Sequence, residues 1–211
     1  MGDFVSIIEN RRSANKFIKG VQLPVEELEE IFKLVKLAPS AFNLQHAHYV
    51  VVNDRDMIEK LYGAANKQYK VLTASAVILV LGNLEAYKDV ARINEGFLNL
   101  GVLSKQEYDT EVESVTGFYE GGGQQFMRDE AIRNSSLSAQ LFMYVAKDKG
   151  WDTCPMIGFD PDAVKELLNI PDNYIPTMMI TIGKADPSSQ RPRGYRKPVG
   201  EFVSYNEFGK Q

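Results

Sequence analysis

Ala76-Val77-Ile78-Leu79-Val80-Leu81 is a continuous β-rich apolar run, and reading it as a buried strand decides the fold. Upstream, His48-Tyr49-Val50-Val51-Val52 reads the same way, with a helix around 55 to 65 between the two. Downstream, Tyr174 to Ile182 is a third strand, rich in Thr and Ile. Strands separated by helices argue for a layered helix-and-sheet domain, although the pattern leaves strand order open.

The helices around this sheet follow from apolar spacing and end signals. Residues 3 to 12 form a short helix, with Phe4, Ile7 and Ile8 spaced for one buried stripe. Leu23-Pro24-Val25-Glu26 opens a second helix, carrying Leu28, Ile31, Phe32 and Val35 at helical spacing and stopping before Pro39. From about 85 to 125 the pattern is helical but interrupted, ending in Gly121-Gly122-Gly123, and reads as a mobile insert over a pocket. The longest helix is expected over 129–149, with Ile132, Leu137, Leu141, Phe142, Val145 and Ala146 on its apolar face, in the core or at a subunit interface. Asp160 caps a short helix from Pro161 to Asn169. The polar, Pro-rich stretch 184–211 suits an extended C-terminal arm of one domain spanning 1–211.

Composition removes several function classes. The formal charge of -4 argues against a broadly basic nucleic-acid surface. The single cysteine, Cys154, cannot form an internal disulfide; alone it reads as a buried apolar thiol. No apolar stretch has the length of a membrane span and the N-terminus lacks a signal peptide, so the expected location is the cytoplasm without membrane association. Met1-Gly2 opens an acylation-like pattern, discounted because no second lipid or polybasic signal supports it. His46 and His48 alternate on one side of a strand, but without a Cys or carboxylate cluster no metal is expected. Neither a P-loop, nor a dinucleotide fingerprint, nor an esterase serine motif is present.

What remains is cationic and amide chemistry. Arg11-Arg12-Ser13 ends the first helix, and a second basic patch holds Arg191, Arg193, Arg196 and Lys197. Two adjacent guanidiniums and a hydroxyl can hold a phosphate through charge-assisted, partly bidentate hydrogen bonds. Ala38-Pro39-Ser40-Ala41-Phe42-Asn43-Leu44-Gln45 adds amides that donate to and accept from a polar heterocycle. Together they point to a phosphorylated cofactor. Taken singly, the first reads as a solvated helix end and the second as a turn.

These residues, with Trp151-Asp152-Thr153-Cys154-Pro155-Met156-Ile157-Gly158-Phe159 and the basic tail, occur in an order that resembles the nitroreductase family of FMN-dependent oxidoreductases, from about Ile7 to Phe202. The resemblance implies an α+β, three-layer sandwich: a mixed, mostly antiparallel sheet flanked by helices, in an intertwined homodimer. It implies that Arg11 and Ser13 hold the FMN phosphate and ribityl chain with help from Arg12, while the C-terminal arginines Arg193 and Arg196 carry more of the binding because Asn15 replaces a frequent basic residue. Pro39, Ser40, Ala41 and Asn43 would line the flavin of the opposite subunit. Gln68 and Lys70, surface helix residues on spacing alone, match positions near the flavin ring, where a cation stabilises the anionic reduced form. Pro155, Met156, Ile157 and Gly158 match the loop against the isoalloxazine, with Ile157 where many relatives carry Glu. Phe42, Phe118, Tyr119 and Phe126 are candidates for stacking on a planar acceptor.

The implied activity is hydride transfer from NADH or NADPH through flavin N5 to a nitroaromatic, quinone or similar small acceptor, with no catalytic side chain. Two alternatives stand beside it: a specialised reductase or dehalogenase using the same cofactor, and a flavin-binding protein without turnover.

Overall fold

The structure, a computed structural model, describes residues 3–209. Met1 and Gly2, where the acylation-like pattern begins, lie outside the described residues, as do positions 210 and 211 of the arm. Four strands, β1 (Ala47–Val52), β2 (Ala76–Asn83), β3 (Asp152–Met156) and β4 (Tyr174–Gly183), form a sheet of order β1-β2-β4-β3 in which every neighbouring pair is antiparallel. One isolated parallel bridge, Ser13 to Thr153, extends it beyond β3.

The run that decides the fold is the sheet's centre. Successive side chains of a strand point to opposite faces. Accordingly Ala76, Ile78 and Val80 enter one core with α2 (Val25–Val35) and α6 (Lys105–Asp148), while Val77, Leu79 and Leu81 enter a second core with α3 (Arg55–Ala64) and α7 (Pro161–Leu167). A strand buried on both faces needs no polar alternation, which explains its unbroken apolar sequence. The result is the expected three-layer arrangement of helix, sheet and helix. α4 (Tyr69–Thr73) and α5 (Val90–Asn99) complete the helices after α1 (Phe4–Asn10).

Several expectations change. The stripe on α1 is not buried: Phe4 and Ile8 are exposed on a helix that packs beside α6, with Phe4 edge-on to Tyr144. β1 is an edge strand, so only Val52 of the run is fully buried and His48 is exposed. The long helix starts at Lys105 rather than 129, and the "interrupted" region is α5, a turn and the first half of α6. That half packs Val115 and Tyr119 against Leu44, Tyr87 and Val90. A single break separates the halves at Gly123, whose φ of 72° and ψ of -177° favour glycine. On the second half, Leu137 is exposed, and the buried side includes Asn134, Ser135 and Ser138. The segment that the resemblance gave as a loop begins as the edge strand β3, where the N–H that Pro155 lacks costs little.

His46 and His48 are not a matched pair. His46 precedes β1, is 1% exposed and shares a hydrogen bond between Nε2 and the Tyr119 hydroxyl at 3.2 Å; His48 lies on Tyr174 at the surface. Among the described residues no group of His, Cys, Asp and Glu is placed to hold a metal. No helix among them is long and apolar enough to cross a membrane.

Two stability predictions follow from this packing. A Cβ built on Gly82 would lie 2.7 Å from the Ala131 carbonyl oxygen, a backbone atom that cannot rotate away. Gly82→Ala is therefore expected to destabilise the fold by about 1–3 kcal/mol, read from urea denaturation midpoints. Burial holds His46 down to about 4 from 6.5, so the folded chain binds fewer protons than the unfolded one between those values, and stability falls as pH drops through that window. Wild type should lose about 2 kcal/mol more than His46→Gln between pH 7 and pH 5; parallel pH profiles for the two proteins would sink this assignment.

Candidate functional site

At the end of α1 the chain turns extended, with Arg11 at φ -65° and ψ 121°, and runs along β3. Ala14 N–H donates to the Thr153 carbonyl at 3.1 Å, which sets Arg11, Arg12 and Ser13 in register with that strand. The returning C-terminal segment closes the other side. Arg12 Nη1 donates to the Arg191 carbonyl at 3.2 Å, and Arg193 Nη2 donates to the carbonyls of Glu9 and Arg11. Lys16 and Asp186, 2.8 Å apart, tether the start of that segment, and the Lys16 and Ser188 hydrogen bonds hold the Asp186 carboxyl at about 2.

Between them lies a cleft of about 270 Å³ lined by Arg11, Arg12, Ser13, Asn15, Arg193 and Arg196, with Lys147 and Asp152 at its floor. Lys147 and Asp152 neutralise each other at 2.8 Å. The arginines differ in what they do. Arg12, Arg193 and Arg196 direct donors at backbone carbonyls. Arg11 Nη1 is buried and has no hydrogen-bond partner. Desolvation lowers the Arg11 pKa; Arg193 and Arg196 add to this, while Tyr144 and Cys154 oppose it. A buried guanidinium nitrogen without an acceptor costs free energy, and an anion is the group that would satisfy it.

The structure also joins two groups of candidates that lie far apart in sequence. Asn66 and Gln68 donate side-chain hydrogen bonds to the Gly158 carbonyl at 3.1 and 2.8 Å, and Lys70 Nζ lies 3.2 Å from Cys154 Sγ. Segment 66–70 is thus fastened to β3 and the loop after it, with Ile157 81% exposed at the tip. The reading of Cys154 as merely an apolar thiol is corrected: it is buried, and it is the acceptor for an ammonium. Lys70 and Gln68 are not plain surface helix residues, since each bonds across to this loop.

Pro39, Ser40, Ala41 and Asn43 sit apart from the arginine cleft, on a second cleft or beside it. That cleft is about 270 Å³ and includes Pro39, Ser40, His46, Tyr49, Asn134 and Ser138. Phe42, Asn43 and Gln45 all have φ between 50° and 54°, a left-handed conformation that costs non-glycine residues roughly 1 kcal/mol or more each. The turn is held against that cost. Ala41 N–H donates to Asn134 Oδ1 at 2.8 Å, Gln45 N–H donates to Ser40 Oγ at 3.0 Å, and Leu44 is buried. Asn134 in turn donates to Glu130, a buried carboxylate paired with Arg133. Sequence reasoning missed Asn134, Glu130 and Ser138; the signal was the polar run Arg133-Asn134-Ser135-Ser136 inside an otherwise apolar helix.

Phe42, Phe118, Tyr119 and Phe126 do come together. Their ring centroids are 5.0–6.3 Å apart in edge-on contacts, with Phe42 and Phe118 about half exposed and Tyr119 buried. Gly122 permits this, since a Cβ there would strike the Phe126 ring at 2.5 Å.

Comparison with known proteins places the chain in a family. A profile described as the Nitroreductase family matches residues 8–184. MhqN of Bacillus subtilis (strain 168), provisionally named an NAD(P)H nitroreductase, is 60% identical over 97% of this chain and all of that relative. The crystal structure of ydfN, a provisional nitroreductase from Bacillus subtilis, superposes with a TM-score of 0.94 at 59% identity, covering 96% of this chain and 98% of the other. A provisional nitroreductase from Exiguobacterium sibiricum 255-15, solved in complex with FMN, gives 0.89 at 28% identity, with 98% of both chains covered. With a matching profile over most of its length and a 60% identical relative aligned end to end, the chain belongs to the nitroreductase family.

Proposed function

We propose that this chain is an FMN-dependent NAD(P)H oxidoreductase, acting as a cytoplasmic homodimer of one domain, 1–211, whose segment from 184 onward is an arm. The observation that carries the reading is Arg11 Nη1, buried without a partner in a cleft lined by four further arginines. Its chemistry fits a phosphate monoester: Arg11 and Ser13 supply charge-assisted donors, Arg193 and Arg196 add positive potential, and Asn15 adds an amide. The FMN complex of the Exiguobacterium relative supports the same cofactor here.

FMN bound there would supply two-electron chemistry, accepting hydride from NADH or NADPH and reducing a nitroaromatic, quinone or similar acceptor that occupies the same place afterwards. The chain's own residues hold and shape. Gln68 fixes the Gly158 loop, and Lys70 presents an ammonium with no carboxylate partner among the described residues beside Pro155, Met156 and Ile157. A fixed positive charge favours an electron-rich ring. Pro39, Ser40, Ala41 and Asn43, standing on a cleft separate from the arginines, suit contact with the cofactor of a second subunit. Phe42 and Phe118 offer exposed ring faces to a planar acceptor, with Tyr119 and Phe126 behind them.

The purified protein should take up FMN, show a flavin absorption spectrum, and bleach on adding NADH or NADPH without oxygen; a colourless protein that takes up no FMN would overturn the reading. Arg11→Ala should weaken FMN binding about 10- to 100-fold, the worth of one charge-assisted interaction of about 1.5–3 kcal/mol. Arg12→Ala, whose guanidinium already serves the Arg191 carbonyl, should change affinity far less. Fluorescence titration of the apoprotein measures both, and equal losses would reject the division of labour between the two arginines.

A further inference from the structure

Lys70 has an unusual partner. Its Nζ lies 3.2 Å from Cys154 Sγ, and among the described residues it forms no ion pair. Elsewhere on this chain, lysines near a carboxylate take it: Lys16 pairs with Asp186, Lys147 with Asp152 and Lys165 with Asp172. The difference matters chemically. A thiol sulfur is a weak acceptor, enough to bias the direction of a flexible ammonium but without a charge to cancel it. A carboxylate at the same place would fix Lys70 equally well and remove its field.

The surroundings make this a positioned contact. Cys154 is 4% exposed in β3, paired with Thr181 of β4, so its sulfur does not wander. Lys70 lies in the short helix α4, whose preceding turn is fastened by the Asn66 and Gln68 bonds to the Gly158 carbonyl. Asn66 and Lys67 are in the left-handed region, so that turn is held in a costly shape. Arg11 is within electrostatic reach of Cys154 on its other side. Cys154 therefore stands between Arg11 and the Lys70 ammonium, next to the Pro155–Gly158 loop.

We propose that Cys154 is a positioning residue, whose sulfur, standing where a carboxylate would otherwise pair with Lys70, aims the Lys70 ammonium toward the cofactor's ring, and so sets how much more tightly the site binds reduced than oxidised FMN. The inference rests on the reading of the arginine cleft as an FMN site. No bond is made or broken at the sulfur.

The test measures the reduction potential of bound FMN by spectroelectrochemistry in wild type, Cys154→Ser, Cys154→Ala, Cys154→Asp and Lys70→Met, with FMN affinity titrated in parallel. Cys154→Asp should lower the preference for reduced FMN about tenfold or more, equivalent to about 30 mV for a two-electron couple. Cys154→Ser, which keeps a weak neutral acceptor, should stay within about twofold of wild type. In the Lys70→Met background the Cys154→Asp substitution should shift the potential by much less than the tenfold-equivalent seen with Lys70 present. If the buried carboxylate prevents folding, Cys154→Ala decides, with a severalfold loss expected from the unanchored ammonium. Potentials equal to wild type in the Asp and Ala variants, or a full-sized Asp effect that persists without Lys70, would overturn the proposal. Wild type that binds no FMN would instead overturn the underlying functional reading.

Discussion

The short parallel bridge between Ser13 and Thr153 is the constraint on which the site depends. One backbone bond, Ala14 N–H to the Thr153 carbonyl, registers the Arg11-Arg12-Ser13 segment against β3. β3 is itself registered by β4, and β4 by β2, the strand buried on both faces. The position of the Arg11 guanidinium is thereby referred back to the strand buried on both faces. A one-residue slip in β3 would turn Cys154 away from Lys70 and shift Arg11 along the cleft. The edge position of β3 leaves a side open for this docking, and it is also where Pro155 can be accommodated.

The arginine cleft and the cleft beside Ser40 use polar burial differently. In the arginine cleft the cations are mostly committed to backbone carbonyls, which orders the returning C-terminal segment and leaves Arg11 as the donor without an acceptor. At the second cleft the polar groups serve the turn. Glu130, Asn134 and the Ala41 N–H form a chain of hydrogen bonds that holds three left-handed residues in place. Strain of this kind persists only where surroundings over-determine it, and it concentrates where geometry matters more than stability.

Much of this was legible in the sequence, for a physical reason. Core strands such as 76–81 carry their own signal, because burial on both faces forces apolar residues at every position. Helix starts at Pro24 and Asp160 were legible because capping and φ restriction are local. The extent of α6 was not, since Gly121-Gly122-Gly123 reads as a terminator, whereas only Gly123 departs from helical geometry. No strand was expected at 152–156, a run of only five residues containing Pro155, and the buried polar face of α6 was missed because a long helix was expected to bury only apolar groups. The site residues were legible as chemical types; which arginine carries the unpaired nitrogen, and that Lys70 meets a sulfur, depends on contacts between segments more than 80 residues apart, as in the separation of 84 between Lys70 and Cys154.

Electrostatics ties these features together. A chain with formal charge -4 places Arg11, Arg193, Arg196 and Lys70 along one edge of the sheet, and among the described residues none of them forms a salt bridge. Concentrated positive charge destabilises a fold by self-repulsion; the Arg11 pKa is lowered first by burial, with Arg193 and Arg196 adding to it. Three of these cations are held without a carboxylate, by backbone carbonyls for Arg193 and Arg196 and by a cysteine sulfur for Lys70, while Arg11 Nη1 has no partner. Such partners fix direction without cancelling charge, so the field is preserved for an anionic ligand. Lys147, on the same cleft, is by contrast paired with Asp152; carboxylates beside Arg193, Arg196 and Lys70 as well would cancel more of that field and weaken the anion site.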